Sequence, residues 1–137
     1  MTDSKQIETL IRGWAAAVHR GDMEAVLAGH AADIVMFDVP PPDQGVRGIE
    51  AYRATWPPFF AWQQGAVFEI ESVEVTAGED VAFAHALLHC DTTEGLAANP
   101  DRRLRLTLGL RREEGEWVIA HEHHSFPLGE QEPAALA

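Results

Sequence analysis

The chain has 137 residues, with 22 acidic against 10 basic side chains and a formal charge of −12 at neutral pH. That length suits one domain with a real core, and that charge repels phosphate backbones and anionic lipid, so neither nucleic acid nor a membrane is expected as a partner. No apolar run reaches the roughly 20 residues of a membrane span, the N-terminus lacks a signal-peptide pattern, and the single Cys90 fits a reducing cytoplasm.

Helices come first along the chain. Ile7, Leu10, Ile11, Trp14 and Val18 recur at helical spacing, with Asp3 and Gln6 reading as an N-terminal capping pair and Gly21 as the stop after Arg20. Asp22 caps a second, shorter helix through Val26 and Leu27 toward His30. His19 and His30 read as helix-end histidines, capping or exposed. Ile34–Asp38 is a short strand stopped by Pro40-Pro41-Pro42. Ile49, Tyr52, Arg53 and Trp56 form a third amphipathic face, which Pro57-Pro58 breaks before Phe59-Phe60.

Four strands follow. In Val67–Thr76 the apolar positions change parity between Ile70 and Val73, which predicts a β-bulge near Glu71-Ser72. Val81–Cys90 reads as a strand buried on both faces, with Cys90 a small buried hydrophobe rather than a nucleophile. Asp91–Asp101 reads as a polar loop. Arg103–Arg112 and Trp117–Phe126 then pair through the two-residue turn Glu114-Gly115. The tail 128–137, patternless from Glu130 onward, is expected to fray. Helices followed by an antiparallel sheet make an α+β fold in a single domain over 1–137.

The last strand holds the strongest functional signal, His121-Glu122-His123-His124-Ser125. Alternation puts His121, His123 and Ser125 on one face and Glu122 with His124 on the other. Each of these polar groups needs a partner or water, since burying one unpaired costs about 1–3 kcal/mol.

Taken in order, Arg20-Gly21-Asp22, Asp33-Ile34-Val35-Met36-Phe37-Asp38, Gly48-Ile49-Glu50-Ala51-Tyr52-Arg53 and Gly115-Glu116-Trp117 ahead of His-x-His-x-Ser resemble the nuclear-transport-factor-2-like superfamily. Its members include ketosteroid isomerase, SnoaL-type polyketide cyclases and the association domain of calmodulin-dependent kinases. The resemblance implies a cone-shaped roll of N-terminal helices on a curved antiparallel sheet, with a ligand pocket on the concave side and a second subunit on the convex side. It places Asp38 where the isomerase has its general base, Trp14 at its oxyanion-binding tyrosine and Thr107 near its protonated aspartate. An indole N–H and a hydroxyl can donate hydrogen bonds but do not reproduce that acidic pair. A different carbonyl or epoxide-like substrate is implied, or no chemistry at all.

A straight register from Glu114-Gly115 sets Arg105 opposite His124 and Thr107 opposite Glu122 on one side, with Leu106 opposite His123 and Leu108 opposite His121 on the other. Thr107's matched position then makes the Arg105, Thr107, Glu122 and His124 side concave, and His85 joins it. Leu104, Leu106, Leu108, Leu110, Trp117 and Ile119 become a convex apolar patch that predicts a homodimer. A bulge in the hairpin reverses both assignments.

The expected function is a small-molecule enzyme of isomerase, cyclase, lyase or hydrolase type, without a cofactor. Asp38 is its base, His85 or His124 its acid, and Trp14, Tyr52, Trp56, Phe60, Arg105, Thr107 and Glu122 bind a small organic ligand. The alternative is a non-catalytic ligand-binding or oligomerising domain. Within either reading Asp38 can instead cap the proline loop, and the Arg105, Glu122 and His124 side can be a solvated face. His121 and His123 read as dimer-interface residues or, placed two apart on one face, as a pair able to reach one metal ion.

Overall fold

The computed structural model describes residues 2–128, so the tail from residue 129 lies outside it. Helix α1 (Asp3–Arg20) turns Ile7, Ile11, Trp14, Ala15, Ala17 and Val18 inward. Its cap is Thr2, whose hydroxyl accepts from Lys5 N, one residue earlier than the expected Asp3. Asp3 is engaged elsewhere, by the Arg112 guanidinium and the Trp117 indole. Gly21 closes the helix at φ +69°, a conformation that a side chain disfavours. Asp22 caps α2 (Met23–Leu27) through Ala25 N.

The strand after α2 is longer than Ile34–Asp38, because β1 runs from His30 to Phe37. After the two-residue β2 (Val46–Arg47), α3 (Ile49–Ala54) gives way to α4 (Trp56–Trp62). Pro57 and Pro58 occupy the first turn of α4, where a missing N–H costs nothing, so they start a helix instead of breaking one.

β3 (Val67–Ala77) carries the expected bulge between Ile70 and Ser72. β4 (Val81–Asp91) is buried on one face only: Ala84, Ala86 and Leu88 turn inward while Val81, Phe83 and Leu87 are exposed. The helices cover just one side of this sheet, so alternation replaces the double burial expected. The segment expected as a polar loop contains α5 (Thr93–Ala98), capped by Thr92. β5 (Leu104–Glu113) and β6 (Glu116–Ser125) form the final hairpin, with Glu114 at φ 52° and Gly115 at φ 83°. Two positive φ angles give a turn whose twist matches the flanking strands. The six strands run in the order β2-β1-β6-β5-β4-β3, with β1 parallel to β6 and the other pairs antiparallel.

The hairpin register corrects the sequence reading. Pairing is straight from Glu113 opposite Glu116 to Leu110 opposite Ile119, and Ala120 is then an extra residue. Gly109 faces His121, Leu108 faces Glu122, Thr107 faces His123 and Leu106 faces His124. A slip of one residue exchanges faces. Glu122 and His124 therefore join Leu106 and Leu108 under the helices, whereas Arg105 and Thr107 stand exposed on the outer face. The supposed convex patch of Leu104, Leu106, Leu108, Leu110, Trp117 and Ile119 is instead buried core.

Deleting Ala120 removes the bulge yet keeps Gly109 opposite His121 and Leu108 opposite Glu122, so Glu122 and His124 still face inward. We expect the variant to keep a cooperative thermal transition followed by circular dichroism. Loss of that transition shows that the bulge itself, and not only the facing of β6, is needed for folding.

Candidate active site

The site is organised around a carboxylate with no access to water. Glu122 is fully buried, and isolated ionised groups do not survive such burial. Here each oxygen is occupied. Oε2 accepts from Tyr52 Oη at 2.8 Å and lies 2.6 Å from His30 Nε2, while Oε1 lies 2.9 Å from His124 Nε2. Tyr52 Oη in turn accepts from Trp14 Nε1 at 3.0 Å. These partners come from α1, α3, β1 and β6, the elements that sandwich the concave face.

Burial opposes ionisation of Glu122, but hydrogen bonds from His124 and His30 outweigh it and hold the pKa down to about 2. For His124 burial works against the charged form, and the Glu122 hydrogen bond and charge, with that of Asp38, outweigh it and raise its pKa. The two shifts agree on an ion pair. Tyr52 is pushed well above the ordinary phenol range by burial and by the Glu122 charge, so it remains a donor.

His124 also fixes the way out of this network. Its Nδ1 points away from Glu122 and lies 3.6 Å from Asp38 Oδ1, too long for a hydrogen bond but close enough for a charge contact. Asp38 sits just past the end of β1, partly exposed, with Oδ1 accepting from Val39 N at 2.8 Å. His124 and Asp38 both line a cavity of about 460 Å³, within the usual range for small-ligand sites. Its walls are mainly aromatic, from Trp56, Phe59, Trp62, Phe68 and Phe126. Arg102 lines it as well, its guanidinium 4.3 Å from the centre of the Phe126 ring. Cys90 also faces the cavity, but burial first, and then the charges of Asp91 and Asp38, push its thiol up to about 12. Such a thiol stays protonated.

The structure thus brings together Asp38, His124 and Trp56 on one cavity wall, with Glu122, Tyr52 and Trp14 directly behind. Phe60 stacks on Trp56, ring centres 5.9 Å apart, without lining the cavity. His85, Arg105 and Thr107 are not in this group, because the Ala120 bulge and the pairing of Thr107 with both His85 and His123 put them on the outer face. There His85 lies 3.7 Å from Glu74, and Arg105 donates to Ser125 Oγ. His121 and His123 share that face around the Phe37 ring, and His121 Nδ1 lies 2.7 Å from Val35 O. Among the described residues no three His, Cys, Asp or Glu side chains are arranged to hold a metal ion. The residue that sequence reasoning missed is His30, which begins β1 rather than ending a helix. No local pattern marked it, because Ala32 at the same parity is exposed and the pairing with β6 is irregular between His30 and Val35.

A family model described as a SnoaL-like domain matches residues 7–129. The chain belongs to the SnoaL-like domain family. Among solved structures it is similar to an NTF2-like protein of unknown function from Pseudomonas putida KT2440, 33% identical over 93% of this chain and 89% of that one, with a TM-score of 0.81. It also shares its fold with a proposed dehydratase of the NTF2-like family from Streptomyces avermitilis, 16% identical, TM-score 0.72, covering 93% of this chain and 97% of that one. A third similar structure is a proposed ketosteroid isomerase from Shewanella frigidimarina NCIMB 400, 19% identical, TM-score 0.69, covering 85% and 92%. Comparison with the curated proteins gave no match. This SnoaL-like domain contains no helix long and apolar enough to cross a membrane among its described residues.

The Glu122–His124 pair makes a definite pH prediction. His124, raised in the fold, contributes stability that is complete below 6.5 and lost as pH rises through its higher folded value. Glu122, lowered in the fold, contributes stability present above 4.5 and lost as pH falls toward about 2. Urea titrations should therefore show a plateau between these limits with a decline on either side. Glu122→Gln should lower the plateau by about 3–5 kcal/mol, because it leaves buried imidazoles without their counter-charge, and should flatten both declines. Unchanged slopes in the variant place the pH dependence elsewhere.

Proposed function

We propose that this SnoaL-like domain is a small-molecule enzyme, of lyase, isomerase, cyclase or hydrolase type, working by acid–base chemistry without a cofactor. One observation carries the reading. His124 presents a single nitrogen to an aromatic cavity while a buried carboxylate holds the other. Glu122, as an acceptor, requires a proton on His124 Nε2, which leaves Nδ1 as the exchanging position. A buried acid that fixes the tautomer and supports the imidazolium is how hydrolytic triads use their acid.

In the proposed step Asp38 takes a proton from a carbon beside a carbonyl, and His124 Nδ1 gives one to the carbonyl or leaving oxygen. Charge is conserved, since the Asp38 anion and His124 cation become two neutral groups. The apolar walls exclude water from the reacting bond and strengthen both interactions. The proposed dehydratase and isomerase activities of two similar folds are compatible with proton transfers of this kind, although a fold alone does not select among them.

A screen of small carbonyl compounds and epoxides, read by turnover and by fluorescence of the cavity tryptophans, tests the reading. Asp38→Asn and His124→Gln should each reduce turnover by about 10²–10⁴-fold, the usual contribution of a positioned acid or base, with ligand affinity little changed. Undiminished turnover in either variant removes that residue from the mechanism. Ligand binding without turnover in the wild type favours the alternative of a non-catalytic binding domain.

The same proposal takes the protein as a cytoplasmic homodimer. The free Cys90 thiol supports a reducing compartment. Exposed Val81, Phe83 and Leu87 along the outer face of β4 support self-association. Light scattering should give about twice the 15.1 kDa chain mass for wild type and the single-chain mass for Phe83→Glu. A wild-type mass of one chain at micromolar concentration excludes the dimer.

A further inference from the structure

His30 has no place in the mechanism above, yet its side chain is completely buried against Glu122. Both of its ring nitrogens face oxygen. Nε2 lies 2.6 Å from Glu122 Oε2 and 3.0 Å from Tyr52 Oη, and Nδ1 lies 3.3 Å from Ala28 O. A carboxylate and a carbonyl only accept hydrogen bonds, so a bare nitrogen at either position sets lone pair against lone pair. The Tyr52 hydroxyl cannot relieve this, because its proton is committed to Glu122. Each nitrogen of His30 therefore carries a proton.

We propose that His30 is the resident counter-ion of Glu122, a positioning residue that keeps the carboxylate paired while His124 loses and regains its proton. The charge count shows the need. With His124 as the only cation, each proton it gives to a substrate leaves Glu122 as a buried anion among neutral donors. Removing one partner of a buried ion pair is strongly unfavourable, and that cost falls on the proton-transfer step. With His30 charged, the trio alternates between one net positive charge and none. Glu122 is never unpaired, and His124 becomes a better acid because a second cation shares its counter-charge.

Other ionisable groups face the trio from the surrounding elements. Tyr52 reaches Glu122 from α3, alongside the uncharged Trp14 indole of α1. On the cavity side His124 meets Asp38 after β1 and shares the cavity with Cys90 and Asp91 at the end of β4 and Arg102 before β5. None of these interposes between His30 and Glu122, whose contact is direct.

Nitrogen-15 NMR of the histidine rings tests the assignment. In the wild type His30 should keep the signature of two protonated nitrogens throughout the pH range in which His124 titrates. In His30→Gln, which keeps an N–H donor but removes the charge, the His124 midpoint should rise by about one pH unit. A midpoint that does not move reduces His30 to a packing role and overturns the proposal. If the variant does not fold, the wild-type spectrum decides alone, since a neutral His30 with one bare nitrogen overturns it equally. Only the consequence for turnover, an equal shift of the pH–rate profile, rests on the acid–base reading of His124. A shifted midpoint in a protein that turns nothing over would sink that reading and leave His30 assigned. Turnover with a neutral His30 would do the opposite.

Discussion

Everything near the cavity depends on keeping one carboxylate ionised out of contact with water. The effective penalty for burying such a group is several kcal/mol, offset here by Tyr52 and the two imidazoles. Since these donors come from α3, β1 and β6, and Trp14 of α1 supports Tyr52, the carboxylate ties four elements together at a common point. A packed apolar core fixes separations only loosely, because many hydrophobic arrangements are close in energy. A buried ion with directional partners tolerates few arrangements. His124 is therefore held on both sides, by Glu122 behind and by the cavity wall in front.

The sequence revealed most of the fold because its signals were local. The apolar spacing of α1, the Gly21 stop, the Asp22 cap, the bulge after Ile70 and the Glu114-Gly115 turn all depend on neighbours within a few residues. Two features were not local. Ala31-Ala32-Asp33 has little strand preference, so the start of β1 at His30 is decided by pairing with Ile119 on a strand almost ninety positions away. The Ala120 bulge likewise leaves no gap in the pattern. Leucines at alternate positions in β5 read equally well on either face, and so do the polar residues of β6. A single extra residue then decided whether His124 or His123 faced the cavity, and with it the places of His85, Arg105 and Thr107.

That bulge also separates two groups of histidines that look alike in sequence. His124 is buried with a carboxylate behind it, whereas His121 and His123 lie outside around Phe37. The distinction is electrostatic as much as steric. Charges on the outer face are screened by solvent, while the inner imidazole responds to Glu122 and Asp38 at low dielectric. Three histidines within four residues therefore amount to one candidate reacting group and two residues of the outer face.

The positions matched to the isomerase show what this site lacks and what must replace it. There an acidic pair stabilises a developing oxyanion. Here Trp14 gives its N–H to Tyr52, and Thr107 lies on the far side of the sheet, so neither reaches the cavity. Among the described residues lining it, His124 and Arg102 are the cationic donors. Arg102 is exposed, with its guanidinium over the Phe126 ring, so on the proposed reading a charge developing beside the buried Glu122–His124 pair falls to His124. The same imidazole that donates the proton must then stabilise the oxygen receiving it. Full proton transfer is favoured over a long-lived enolate, which suits eliminations and hydrolyses better than an isomerisation that requires the intermediate to persist.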